Sequence, residues 1–205
     1  YRIFGHIQAD YVVLAQHLDD QAETLLLQLF RGAGVKGLSA MPIVRKQASD
    51  AAPQILRPLL EVSRSRIEAD ARQQKLNWIS DESNDSITFN RNFLRHEILP
   101  ILKTRYPNYP KTLLRTSRHL SEASLLLDEL AEIDSAYCLA LGKLQVENLR
   151  KLSFSRAKNL LRYTLLQHGA ILPSTAKIKN ILNQLLAIGV DNQFNISLGD
   201  TEIRC

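Results

Sequence analysis

YVVLAQHLDDQAETLLLQLF, residues 11–30, changes its hydrophobic period halfway along, and that change decides the fold. Tyr11 to Ala15 is a short β-branched and aliphatic run without polar alternation, the pattern of a strand buried on both faces of a parallel sheet. Beyond it Ala22, Leu25, Leu26, Leu29 and Phe30 recur at helical spacing. They predict a helix from about Asp20 to Phe30, stopped by Arg31-Gly32. Strand, turn and helix then repeat: Ile55-Leu56 is a second strand candidate ended by Pro58, followed by a helix from about Ser63 to Lys75 with Ile67 and Ala71 inward. Alternating β and α over the first hundred residues reads as an α/β domain with a parallel sheet. A parallel strand needs neighbours, and few residues precede Tyr11, so the expected domain is the C-terminal part of a larger sheet.

Working outward, 205 residues suffice for one large domain or two small ones. After the polar stretch Ser80 to Thr88 a helix is predicted near Asn90, and Pro100, Pro107 and Pro110 mark a hinge or linker. Leu113, Leu120, Leu127 and Leu130 then line one long helix to about Leu141. Phe154 to His168 forms another before Gly169, and Ser174 caps a third to about Ala187. The tail QFNISLGDTEIRC alternates around Gly199-Asp200 like a hairpin. The expected organisation is two domains, 1–105 and 106–205, the second mainly helical with a small β-hairpin.

No apolar run approaches the roughly 18 residues that span a bilayer, and the first residues lack the order of a signal peptide. No membrane partner and a cytoplasmic location are the expectations. Cys138 and Cys205 stand far apart without a CxxC, which leaves a disulfide framework or a zinc or iron–sulfur site without support. Net charge is +5, and its distribution is uneven: seven Lys or Arg against Glu97 from Arg91 to Arg118, and eight against Glu147 from Lys143 to Lys179. Between them Glu122 to Asp134 carries five acids and no base. Both a solvated surface and a phosphate-binding face are open readings of these blocks.

Gly32-Ala33-Gly34-Val35-Lys36-Gly37 matches GxGxxG, but it follows a predicted helix end instead of a strand. A dinucleotide turn must present a helix N-terminus to the pyrophosphate, so a flexible loop is the better account. QHLDDQAET, residues 16–24, has two readings. Asp20 and Glu23 have the spacing of a capping box, and first-turn carboxylates favour the helix dipole. Alternatively Asp19, Asp20 and Glu23, with His17 at the strand end, sit in the usual ligand crevice of such sheets. There Asp20 and Glu23 share a helical face that suits an ammonium group or a hydrated metal ion, and His17 can donate to a phosphate or developing oxyanion. Arg91 and Arg95, four apart, suit a carboxylate or phosphate, or else structural salt bridges with Asp81 or Glu82. Asn84, Asn90 and Asn92 read as turn and cap residues.

AQHLDDQAETLLLQLFRGAGVKGLSAMP, residues 15–42, together with LNWISDESNDSITFNRNFLRHEILP, residues 76–100, resembles the tRNA(Ile)-lysidine synthetase family of the PP-loop ATP-pyrophosphatase group. The pattern HxxDDQxET, RGxGxxGLxxMP and WxxDxSN…RNxxR…P is distinctive. Residues 109–205 resemble the family's substrate-binding domain by order and pattern. The resemblance implies a Rossmann-like, adenine nucleotide α-hydrolase-like fold and a ligase forming a carbon–nitrogen bond. ATP adenylates the carbonyl oxygen of the wobble cytidine in the CAU anticodon of tRNA(Ile), and the ε-amine of free L-lysine displaces AMP to give lysidine.

Carried onto this chain, the resemblance implies that Asp20 and Glu23 hold lysine while Arg95 meets its carboxylate. His17, Asp20 and Arg31 become the catalytic candidates. His17, Asp19, Arg31 and Arg91 are candidates for nucleotide or tRNA, and Asp19 for Mg²⁺. The implied cofactors are ATP and Mg²⁺, and the partners tRNA(Ile), L-lysine and ATP, with a homodimer as an open alternative to a monomer. The family's SGGxDS phosphate loop does not occur in these 205 residues. They alone are therefore expected neither to hydrolyse ATP nor to transfer from it. Two competitors remain: a sulfur-inserting relative, which ordinarily needs cysteine chemistry, and a non-catalytic RNA-binding module supported by the basic blocks.

Overall fold

The computed structural model describes residues 9–46, 52–79, 86–140, 143–187, 195–198 and 201–204. It divides into two compact units, 1–124 and 125–205, with the division inside one long helix. The α/β class expected from the sequence is what the first unit adopts.

In that unit β1 (Tyr11–Val13) leads through Leu14 to Gln16 into α1 (Leu18–Phe30). A short helix α2 (Val35–Leu38) and a two-residue strand β2 (Val44–Arg45) precede β3 (Gln54–Leu56) and α3 (Arg64–Gln73). The sheet order is β1-β3-β2. β1 pairs parallel with β3, Val12 opposite Ile55, and β2 pairs antiparallel with β3. Ile55, central in the middle strand, is fully buried with Leu18, Ala22, Leu25 and Leu60. β1 departs from the expectation of burial on both faces: Tyr11 and Val13 are 50% and 60% exposed. Its side chains alternate in exposure, and Val12, opposite Ile55 of β3, is the less exposed one.

The helix ends carry more corrections. α1 begins two residues earlier than its periodicity suggests, because His17 is its N-cap. The His17 ring accepts from the Asp20 amide at 3.4 Å, and the His17 amide donates to Asp20 Oδ2 at 3.0 Å. The reciprocal box is thus His17 with Asp20, not Asp20 with Glu23. The glycines after Arg31 form no open loop: Gly32 takes φ +68°, Gly34 caps α2, and Gly37 lies where a Cβ would meet the Ala33 Cβ at 2.8 Å. Two glycine positions therefore have a steric reason.

From Asn90 the chain stays helical for sixteen residues, through α4 (Asn90–Phe93), a π-helical turn (Leu94–Ile98) and α5 (Leu99–Arg105). Pro100 does not break this run. It stands at the start of α5, where a missing N–H and the clash with the carbonyl four residues back are relieved by the wider π turn before it. Pro110 likewise sits in the first turn of α6 (Tyr109–Cys138), and only Pro107 lies between helices.

The second unit holds the rest of α6, then β4 (Leu139–Ala140), β5 (Lys143–Leu144), α7 (Val146–Leu149), α8 (Phe154–Gln167) and α9 (Thr175–Ala187). Ser153 and Ser174 cap α8 and α9, their hydroxyls accepting from Arg156 and Lys177 amides. Gly169 follows α8 at φ +71°. Leu149, Leu160, Leu161, Ile178, Ile181, Leu182 and Leu185 close an apolar core with the thiol of Cys138, which burial holds above its usual pKa. The expected tail hairpin is present as β6 (Asn195–Leu198) paired antiparallel with β7 (Thr201–Arg204); its Gly199-Asp200 turn lies outside the described residues.

Candidate functional site

The first turn of α1 and the helical run from Asn90 meet over a cluster of charges. Glu23 points inward from α1 and is 1% exposed, a position an ionised carboxylate holds only when paired. Arg95 supplies a forked pair, Nε to Oε1 at 2.7 Å and Nη2 to Oε2 at 2.9 Å. Arg91 donates from Nε to Oε2 at 2.9 Å and from Nη2 to the Thr24 hydroxyl at 2.9 Å. Arg95 Nη2 also reaches Asp20 Oδ1 at 3.2 Å. Two carboxylates and two guanidinium groups neutralise one another, and such forked, charge-assisted bonds are the strong kind. The bond to Glu23, outweighing burial, holds the Arg95 pKa above its ordinary value, with Asp20 and Asp19 adding to it.

The arginines four residues apart share a face because α4 and the π turn keep them there, and their partner carboxylates are on α1. Both arginines are in salt bridges, and the partners among the described residues are Glu23 and Asp20. Asp81 and Glu82, the acids expected nearby, lie outside the described residues, as does Asn84. Asn92, expected as a turn or cap residue, lies inside α4 and ties the segment down by donating from Nδ2 to the Ser86 carbonyl at 2.9 Å.

His17 and Asp19 stand beside this network. With Nδ1 accepting from the Asp20 amide, the proton of the neutral imidazole sits on Nε2, 3.4 Å from Asp20 Oδ2. Asp19 accepts the Arg64 amide at 2.8 Å, fastening the start of α3 to the start of α1. Arg31 is not brought in. It is the exposed C-cap of α1, eleven residues from Asp20 and so about 16 Å along the helix axis.

A cleft of about 270 Å³ opens at this place. His17, Asp19, Glu23 and Arg95 line it, together with Arg64, Leu99, Pro100, Lys103 and Tyr109, which sequence reasoning missed; Asp20 and Arg91 are not among its lining residues. Tyr109 is half-buried, and burial, reinforced by Asp19 and Glu23, pushes its phenol pKa up. The only sequence signal for these last residues was the cluster of prolines and bases around them. Below the cleft, Gln21 bonds both the amide and the carbonyl of Met41, at 3.0 and 2.8 Å, and the buried Arg57 bonds Gln16 and the Pro42 carbonyl. These contacts hold Met41 and Pro42, beyond α2, to Gln21 and Arg57. Among the described residues no group of three or more His, Cys, Asp or Glu is spaced to hold a metal ion unaided. No described helix is long and apolar enough to cross a membrane.

Residues 1–102 match the sequence profile of the PP-loop domain, and residues 144–205 that of the TilS substrate binding domain. Fold and matches together define an α/β protein of the PP-loop class carrying a mainly helical substrate-binding domain. The chain is 55% identical over 205 residues to a tRNA(Ile)-lysidine synthase of Nitrosomonas europaea, covering all of this chain and 45% of that protein. It is 41% identical over 206 residues to the tRNA(Ile)-lysidine synthase of Coxiella burnetii, again all of this chain and 45% of the relative. For Actinobacillus pleuropneumoniae the figures are 38% over 208 residues, all of this chain and 49% of the relative. The chain belongs to the tRNA(Ile)-lysidine synthase family and spans about half the length of the curated relatives it matches.

Proposed function

We propose that this chain supplies the lysine-recognising part and a tRNA-binding part of a tRNA(Ile)-lysidine synthase. ATP adenylates the wobble cytidine of the CAU anticodon of tRNA(Ile), and the ε-amine of L-lysine displaces AMP. The observation that carries the reading is the Asp20, Glu23, Arg91 and Arg95 network, of which Glu23 and Arg95 line a small cleft. A zwitterion is recognised by carboxylates and a guanidinium held in fixed relation, and this network holds them so. Asp20 and Arg95 reach the substrate, and Glu23 acts through the two arginines it orients.

His17, with its proton on Nε2, donates to a nucleotide phosphate or to the cytidine oxyanion, and Arg31 and Arg91 serve nucleotide or tRNA. Mg²⁺ enters with the nucleotide and neutralises phosphate charge. Such an ion takes one or two carboxylates plus phosphate oxygens and water, which makes Asp19 the fitting ligand from this chain. The 205 residues by themselves do not turn over ATP, the domains part near residues 102–110, and the enzyme acts in the cytoplasm.

The test uses the complete protein with tRNA(Ile) transcript, ATP and labelled lysine. Asp20→Ala is expected to abolish lysine transfer to the tRNA. Full activity of that variant would instead favour a non-catalytic RNA-binding role for this part of the protein.

A further inference from the structure

In the cleft and in the network beside it, to which Asp20 and Arg91 belong, the charges do not cancel evenly. Asp20, Glu23, Arg91 and Arg95 satisfy one another, and Arg64 pairs along its own helix with Glu68 at 2.8 Å. Arg95 has both Nε and Nη2 committed to carboxylates. Two charges are left over. Among the described residues Asp19 has an amide and the weakly placed His17 ring against it, and Lys103 forms no ion pair. Lys103 and Tyr109 bracket the turn between α5 and α6, so both belong to the wall contributed by that turn, while Asp19 belongs to the start of α1. The cleft therefore offers a carboxylate at Asp19, an ammonium at Lys103 and the phenol of Tyr109, which feels the charges of Asp19 and Glu23. Its volume, about 270 Å³, lies below the roughly 300–1,000 Å³ of sites that enclose drug-sized ligands. That suits a free amino acid better than a nucleoside triphosphate.

We infer that Lys103 and Tyr109 form the oxyanion subsite of the amino-acid pocket, taking the carboxylate of the free amino acid that has an ammonium group facing Asp19. This rests on the reading of the cleft as the lysine site and adds specificity residues to it. Arg95, held by Glu23, then fixes the pocket floor and shares the carboxylate at most through its remaining nitrogen. Tyr109 serves as a donor because it stays a neutral phenol at working pH.

In the complete enzyme, Lys103→Met is expected to raise KM for lysine about tenfold, the effect of losing one charge-assisted bond, with KM for ATP unmoved. Tyr109→Phe should raise it less, and Lys103→Arg should restore most of the loss. Lysinamide, which lacks the carboxylate, separates the sources: the Lys103→Met penalty should largely vanish with it. An unchanged lysine KM, or an equal penalty with lysine and lysinamide, overturns the subsite, and a rise confined to KM for ATP assigns the lysine to phosphate and overturns it too. A wild-type enzyme that transfers no lysine to tRNA removes the functional reading itself, an outcome read before any variant is made.

Discussion

The two compact units bury different things. In residues 1–124 the interior beside the cleft is polar: Glu23, Gln21, Arg57 and Asn92 are buried there and are spent on one another or on backbone. In residues 125–205 the interior is a contiguous apolar cluster across α7, α8 and α9, with Asp134, paired to Arg156, as its buried acid. Apolar burial contributes stability in proportion to area and tolerates small displacements. A buried ion network contributes little net stability but specifies direction, since each group has a few acceptable partner positions. The first unit thus gives up packing efficiency where it holds charges together, and the described core of the second is closed by apolar side chains.

The sharpest way to break this contrast is to remove the hub of the network. Glu23→Ala leaves two guanidinium groups without their carboxylate and is expected to destabilise the chain by about 3–5 kcal/mol, the usual cost of halving a buried pair. Urea unfolding checks it, and a loss below about 1 kcal/mol would mean the arginines re-pair readily with Asp20. Glu23→Gln keeps the shape and is expected to weaken lysine binding more than ATP binding; equal loss of both would break the link between the hub and the amino acid.

Next in size, Leu182→Ala opens a cavity in the apolar core and should cost about 2–5 kcal/mol. Because the cleft lies in the other unit, KM for lysine in the complete enzyme should stay within about twofold below the unfolding transition, in line with additivity for distant sites. The smallest effect concerns pH. The Tyr109 phenol titrates above its ordinary value of about 10, so the folded state keeps that proton longer than the unfolded chain. Its contribution is complete below about pH 10 and is lost as pH rises through the raised value, so Tyr109→Phe should flatten the alkaline limb of a thermal-stability profile.

What could be read in advance follows the range of the forces involved. The period change in residues 11–30 places β1 and α1, because burial of one helix face needs apolar residues every three or four positions. The serine caps of α3, α8 and α9 are equally local. The start of α1 was misjudged because histidine is an unusual cap and its box with Asp20 has no periodic trace. The glycine segment was misjudged because the four residues of α2 are too few for a periodic trace, while its shape rests on the left-handed Gly32, the Gly34 cap and the close approach of Gly37 to Ala33.

The sequence by itself determined the kind of domain, the helices and the presence of carboxylates and arginines in two short segments, since hydrogen bonds within a few residues and burial of one face are written in local order. Only the tertiary structure decided who meets whom. Glu23 bonds arginines 68 and 72 positions away, and Lys103 and Tyr109 reach the same cleft through the turn between two helices. Such pairings depend on how α1 and the residues from 90 to 109 pack, and packing is a property of surfaces that no short window of residues contains.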